Sequence, residues 1–158
     1  MSRQVFNETF SLEIPESFEP MDEEDCRRLA KNGGGPYQWG VRDREKHQLI
    51  VALWKQYPAL LSLLADLKSV AKKNAQLTEK AYEGRNYRFL GFFSMQAGET
   101  KAEGYRFSYS EEGVSQTVDT FLIKDGKTIY AFLCGGREEN MDADHDQFCR
   151  ILESLQYV

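Results

Sequence analysis

Cysteine is scarce in this chain. Cys26, Cys134 and Cys149 are the only three in 158 residues, and no two stand in a CxxC pair. So odd and sparse a set fits reduced thiols in a cytoplasmic protein better than a disulfide scaffold. No apolar run approaches the ~20 residues of a membrane-spanning helix. The opening MSRQVFNETFSLEIP lacks the apolar core of a secretory signal. Basic residues are outnumbered, 20 Lys and Arg against 25 Asp and Glu for a net charge of −5, and none cluster. That argues against a nucleic-acid partner and against an anionic membrane surface. There is no internal repeat, no low-complexity tract and no long linker, so the length fits one domain, residues 1–158.

Aromatic residues are abundant: ten Phe, eight Tyr and two Trp. They favour strands and large packed cores. VFNETFSLEIP reads as a strand ended by Pro15, although Val5 falls out of phase with Phe6, Phe10, Leu12 and Ile14. MDEEDCRRLAKN runs from acids to bases, as a helix dipole prefers. Residues 31–37, KNGGGPY, form a turn or mobile loop. PYQWGVRDREKHQLIVALWK reads as a hairpin reversing at DREK. Leu49, Val51 and Leu53 lie on one face of its second arm, and Ile50, Ala52 and Trp54 on the other, so both faces are covered. From Pro58 onward Leu60, Leu63, Leu64, Leu67, Val70, Ala71, Leu77 and Ala81 recur at helical spacing.

After Gly84 the period becomes two. RNYRFLGFFSMQ, GYRFSYS, VSQTVDTFLI and KTIYAFLC read as four strands separated by AGETKAE, EEG and KDG. Connections this short join antiparallel neighbours. Residues 142–155 form a last helix with Phe148, Ile151, Leu152 and Leu155 on one stripe. Residues 87–95 and 128–134 are apolar on both faces, which calls for helices on both sides of the sheet. The expected class is α+β, a three-layer α/β/α sandwich with a central, mainly antiparallel sheet flanked by helices.

This order resembles the PsbP-like superfamily, named for an extrinsic photosystem II protein and shared with a Ran-binding nuclear-import factor. Three places carry the resemblance: FSLEIPESFEPM, the meander ending KDGKTIYAFLCGG, and the closing FCRILESLQYV with Ser154. The resemblance implies binding or assembly factors rather than enzymes, some bacterial relatives looking like secretion-associated chaperones. It implies no shared catalytic set.

The acidic stretch ENMDADHDQFCRILESL imitates a calcium loop, because Asp142, Asp144, Asp146 and Glu153 have the spacing of loop positions 1, 3, 5 and 12. Gln147 stands where that loop needs glycine, and the helical stripe from Phe148 would carry Glu153 away. The acids therefore read as helix-start residues, with Asp144 and Gln147 resembling a capping box, rather than as metal ligands. His145 and Cys149 lie one turn apart, but the other soft donors, His47, Cys26 and Cys134, fall on separate elements, and no zinc or thiol site is expected. Gly135 and Gly136 read as a turn, because Glu138 and Glu139 would repel an anion.

Tyr105, Phe107 and Tyr109 share a strand face, and core packing is the first reading of that triplet. The functional reading is an aromatic patch of Tyr37, Trp39, Tyr105 and Tyr109 that docks a partner beside the glycine loop. The expected function is non-enzymatic binding or assembly with a protein partner and no cofactor. The alternatives are a metal-dependent enzyme or metal-binding protein built on Asp142, Asp144, His145 and Asp146, and a self-associating structural protein.

Overall fold

The computed structural model describes residues 1–30, 37–58 and 66–158. The glycine-loop expectation at 31–36 and the leucines at 60, 63 and 64 lie outside the described residues.

The first expected strand is two. β1 (Ser2–Phe6) and β2 (Phe10–Ile14) pair antiparallel, with Phe6 opposite Phe10. Asn7 and Glu8 between them have φ of 50° and 53°, left-handed values that reverse the chain in a tight hairpin turn. Val5 falls out of phase because it faces solvent, 54% exposed, while Phe6 beside it is buried. Strand β3 (Glu19–Pro20) precedes helix α1 (Glu23–Ala30), whose start is closed reciprocally: Asp25 N–H donates to the Asp22 carboxylate and Asp22 N–H to that of Asp25. Strands β4 (Trp39–Asp43) and β5 (Gln48–Gln56) form the expected hairpin.

Helix α2 (Leu67–Ala81) is followed by β6 (Arg88–Ala97), β7 (Thr100–Glu111), β8 (Val114–Asp125) and β9 (Thr128–Arg137). After a 3₁₀ turn at Glu138–Asn140 come helix α3 (Met141–Glu153) and strand β10 (Gln156–Tyr157). The seven-stranded sheet runs β3-β4-β5-β9-β8-β7-β6, every neighbouring pair antiparallel. A smaller sheet runs β1-β2-β10. The fold is α+β with an antiparallel main sheet.

One face of the large sheet presents Ile50, Ala52, Phe121, Ile123, Tyr130 and Phe132 to a core completed by Phe10 and Leu12 of β2 and by Phe148, Ile151 and Leu152 of α3. On the opposite face Tyr105, Phe107, Val118 and Leu122 pack against Ala71 and Ala75 of α2. Helices alone were expected to flank the sheet; here the small sheet supplies much of one side. Along α2 the expected stripe also turns, because Leu77 is exposed while Ala71 and Ala75 are buried.

Residues 87–95 are not covered on both sides. Strand β6 is the edge of the sheet, and Phe89, Leu90 and Phe92 remain 44%, 38% and 50% exposed. Apolar content alone does not tell an edge strand from a central one, because a central position depends on which strands are left to pair with it.

Candidate functional site

The acidic stretch lies where β9 turns into α3, and its members face different ways. Asp144 is only 8% exposed, and the Gln48 side-chain amide donates to its Oδ1 at 2.7 Å and to Gln147 Oε1 at 3.0 Å. Asp144 and Gln147 are thus joined through Gln48 of β5 and form no capping box. The helix begins earlier, at Met141, with no side-chain cap on Asn140. Burial pushes the Asp144 carboxyl above its ordinary range, and the nearby Asp119 charge adds to this, while the Gln48 hydrogen bond works against it. Asp142 and Asp146 face solvent. Among the described residues no three His, Cys, Asp or Glu side chains gather as a metal site would require.

His145 belongs to a different network. Its Nδ1 lies 3.2 Å from Asp119 Oδ2, its Nε2 lies 3.6 Å from Cys149 Sγ, and its ring meets Phe93 edge-on at 5.0 Å. Arg106 Nε donates to Asp119 Oδ1 at 2.7 Å, and its Nη2 to the Met141 carbonyl. Carboxylate, imidazole and thiol in a row resemble a nucleophile with its base. The thiol is not activated, however. Burial, with Asp119, Glu153 and Asp146 nearby, pushes Cys149 up to about 11, so it is protonated at neutral pH. The network instead ties β7, β8 and α3 together.

The four aromatic candidates do not form one surface. Tyr105 is 4% exposed, its hydroxyl 3.1 Å from that of Thr78 on α2, and Phe107 is buried beside it. Tyr109 and Tyr82 rings sit 4.6 Å apart. Tyr37 lies among these tyrosines and is raised above the ordinary phenol range, chiefly by burial. Trp39 faces the other core, 5.7 Å from the Phe6 ring.

The most exposed aromatic surface, which sequence pattern missed, is β6. The rings of Phe89 and Phe92 lie 4.8 Å apart. A bulge between Phe89 and Gly91 bends the strand, with Gly91 at φ 130°, a value that disfavours a side chain. Beyond the bulge β6 runs regularly from Phe92 to Ala97. Beside it lies a groove of about 400 Å³ between β6 and α2, whose lining includes Lys68, Lys72, Phe92, Ser94 and Glu103. A second cleft, of about 490 Å³, is rimmed by Arg28, Arg42, Arg44 and Arg137. Three of those four already pair with carboxylates, Arg28 with Glu24, Arg42 with Asp25 and Arg44 with Glu19.

No protein-family model matches the chain, and no curated protein sequence matches it. Solved structures do resemble it. Cyanobacterial PsbP (CyanoP) from Synechocystis sp. PCC 6803 superposes with a TM-score of 0.73 at 11% identity, over 99% of this chain and 92% of that one. LpqN, involved in cell envelope biogenesis of Mycobacterium tuberculosis, gives 0.62 at 16% identity over 94% and 83%. A protein from Bacteroides thetaiotaomicron gives 0.56 at 10% identity, over 94% of this chain and 45% of the other. The chain has the PsbP-like fold.

Proposed function

We propose that the protein is a non-enzymatic binding module and that it takes a protein partner, rather than a small ligand, at the free edge of its large sheet. The observation that carries this reading is β6: an edge strand of ten residues that leaves Phe89, Leu90 and Phe92 in solvent. Large apolar side chains concentrated on an open edge are a liability unless something covers them. The fold supports the reading, since CyanoP and LpqN share it. So does the state of the polar groups. Asp144 is held by Gln48, His145 lies against Asp119, and Glu138 pairs with Arg88, so the three do not meet as an enzyme site would need. The same dispersal argues against the metal-dependent alternative. The free thiols of Cys26, Cys134 and Cys149 suit the cytoplasm.

The test is affinity capture from lysate of the protein's own host, comparing wild type with a Phe89→Ser/Phe92→Ser variant. Both positions are half-exposed, so the variant should melt within a few degrees of wild type. The reading expects a saturable partner that the variant loses. Equal retention by both would contradict it.

A further inference from the structure

We propose that the groove between β6 and α2 binds an extended, acidic segment of the partner, which adds to β6 as an extra antiparallel or parallel strand. This rests on the binding-module reading and specifies how the partner is held and what it carries.

The backbone geometry comes from the β6–β7 hairpin. Its loop is only Gly98 and Glu99, with Ala97 opposite Thr100. In a two-residue hairpin the pair flanking the loop is hydrogen-bonded, and such pairs alternate with pairs whose N–H and C=O groups face away from the partner strand. Ala97, Met95 and Phe93 therefore bond to β7. The N–H and C=O groups of Phe92, Ser94 and Gln96 point outward, along an edge where no strand follows among the described residues. All three residues are exposed. The bulge at Gly91 interrupts this edge upstream, so it offers one short, regular docking strip rather than a long flat one. An extended chain laid there would gain main-chain hydrogen bonds from a preformed template, as strand-addition domains do.

Side-chain chemistry selects the segment. Phe92 lies opposite Tyr105, whose side chain packs toward α2, so Phe92 and Ser94 belong to the groove side. The one acid in the groove, Glu103, is already engaged: the Ser94 hydroxyl donates to its Oε2, and Lys101 Nζ lies 3.3 Å from its Oε1. Lys68 and Lys72 stand on the helical wall with no ion pair among the described residues. The described helix bears Lys68, Lys72, Lys73 and Lys80 against Glu79 alone, four positive charges to one negative, in a chain whose net charge is −5. The groove therefore complements carboxylates carried on the face of the added strand that meets Lys68 and Lys72.

The probes are two blocked octapeptides, one alternating glutamate and valine and one alternating lysine and valine, followed by amide exchange at Phe92, Ser94 and Gln96. The glutamate peptide should slow exchange at those amides and bind about five- to tenfold more tightly than the lysine peptide, the range two exposed ion pairs supply. Lys68→Glu/Lys72→Glu should invert that preference. Gln96→Pro removes an outward N–H that the fold does not use, so it should melt nearly as wild type yet lose both peptides. Equal binding of the two peptides would overturn the acidic preference while leaving strand addition standing. No protection by either peptide, in a protein that still captures a partner through Phe89 and Phe92, would overturn strand addition while leaving the binding module. Protection that appears without peptide and grows with protein concentration would identify a second copy as the occupant and overturn the proposal.

Discussion

Gly136 has no room for a side chain: a Cβ there would lie 2.2 Å from Asp144 Oδ2. Gly136→Ala must therefore push the Asp144 carboxylate off its bond with Gln48, at about 1–3 kcal/mol for overpacking a buried site. Asp144→Ala loses the same bond and strands the Gln48 donor, again about 1–3 kcal/mol. Because both changes act on one contact, the double variant should be clearly less destabilised than their sum in urea unfolding; simple additivity would show that the two residues are independent. Asp144 also sets a pH dependence. Its folded value lies above the ordinary 3.8, so between the two values the folded state holds a proton that the unfolded chain has released. Stability therefore falls as pH rises through that window and levels above it. Asp119, raised mainly by burial against the pull of Arg106 and His145, acts in the same direction. The groups facing Asp144 are Gln48, Gln147 and, at longer range, Lys46 and Asp119. Urea midpoints from about pH 4 to about pH 8 should show Asp144→Asn gaining on wild type as pH rises, and parallel curves would contradict this. None of this was legible in the chain, where Asp144 counted as one helix-start acid among several. Its hydrogen-bond partner is 96 residues away, and no local pattern announces such a contact.

At the scale of elements, the β1–β2 hairpin offers a direct check on its turn. Glu8 holds φ 53° without the freedom of glycine, whereas Asn7 beside it tolerates that region well. Glu8→Gly should stabilise the protein by about 0.5–1 kcal/mol, read as a higher melting temperature. A lower one would mean the Glu8 side chain does more than the turn geometry implies. The four-strand meander and the last helix were legible because period-two alternation and a helical stripe are local signals. Both-face burial of β5 was legible too, since Leu53 and Ile50 do reach opposite cores. The first hairpin was hidden because two short strands joined by three residues, which leave Phe6 and Phe10 in the same parity, look like one longer strand. Strand β6 misled for a different reason. Its side chains are those of a central strand, and only the order β9-β8-β7-β6 leaves it at the edge. That misplacement is also what conceals the candidate site, because an aromatic patch can be recognised as exposed only once the edge is known.

For the molecule as a whole, charge and shape agree on one surface. The chain is acidic overall, yet α2 presents its lysines beside the free strand, so the long-range field disfavours an acidic partner while the groove favours one. Attraction that is local and exposed should weaken with salt over a Debye length of about 8–10 Å. The fold explains how such a surface survives: two separate cores hold the sheet from both faces, and among the described residues no strand pairs with the outer edge of β6. The most direct measurement is amide hydrogen exchange over the whole chain, alone and in the complex recovered with its captured partner. The account predicts protection concentrated at Phe92, Ser94 and Gln96 of β6, with slower exchange also near Lys68 and Lys72 of α2. Protection centred instead on Trp39 or on the cleft of Arg42 and Arg137, with β6 unchanged, would contradict it.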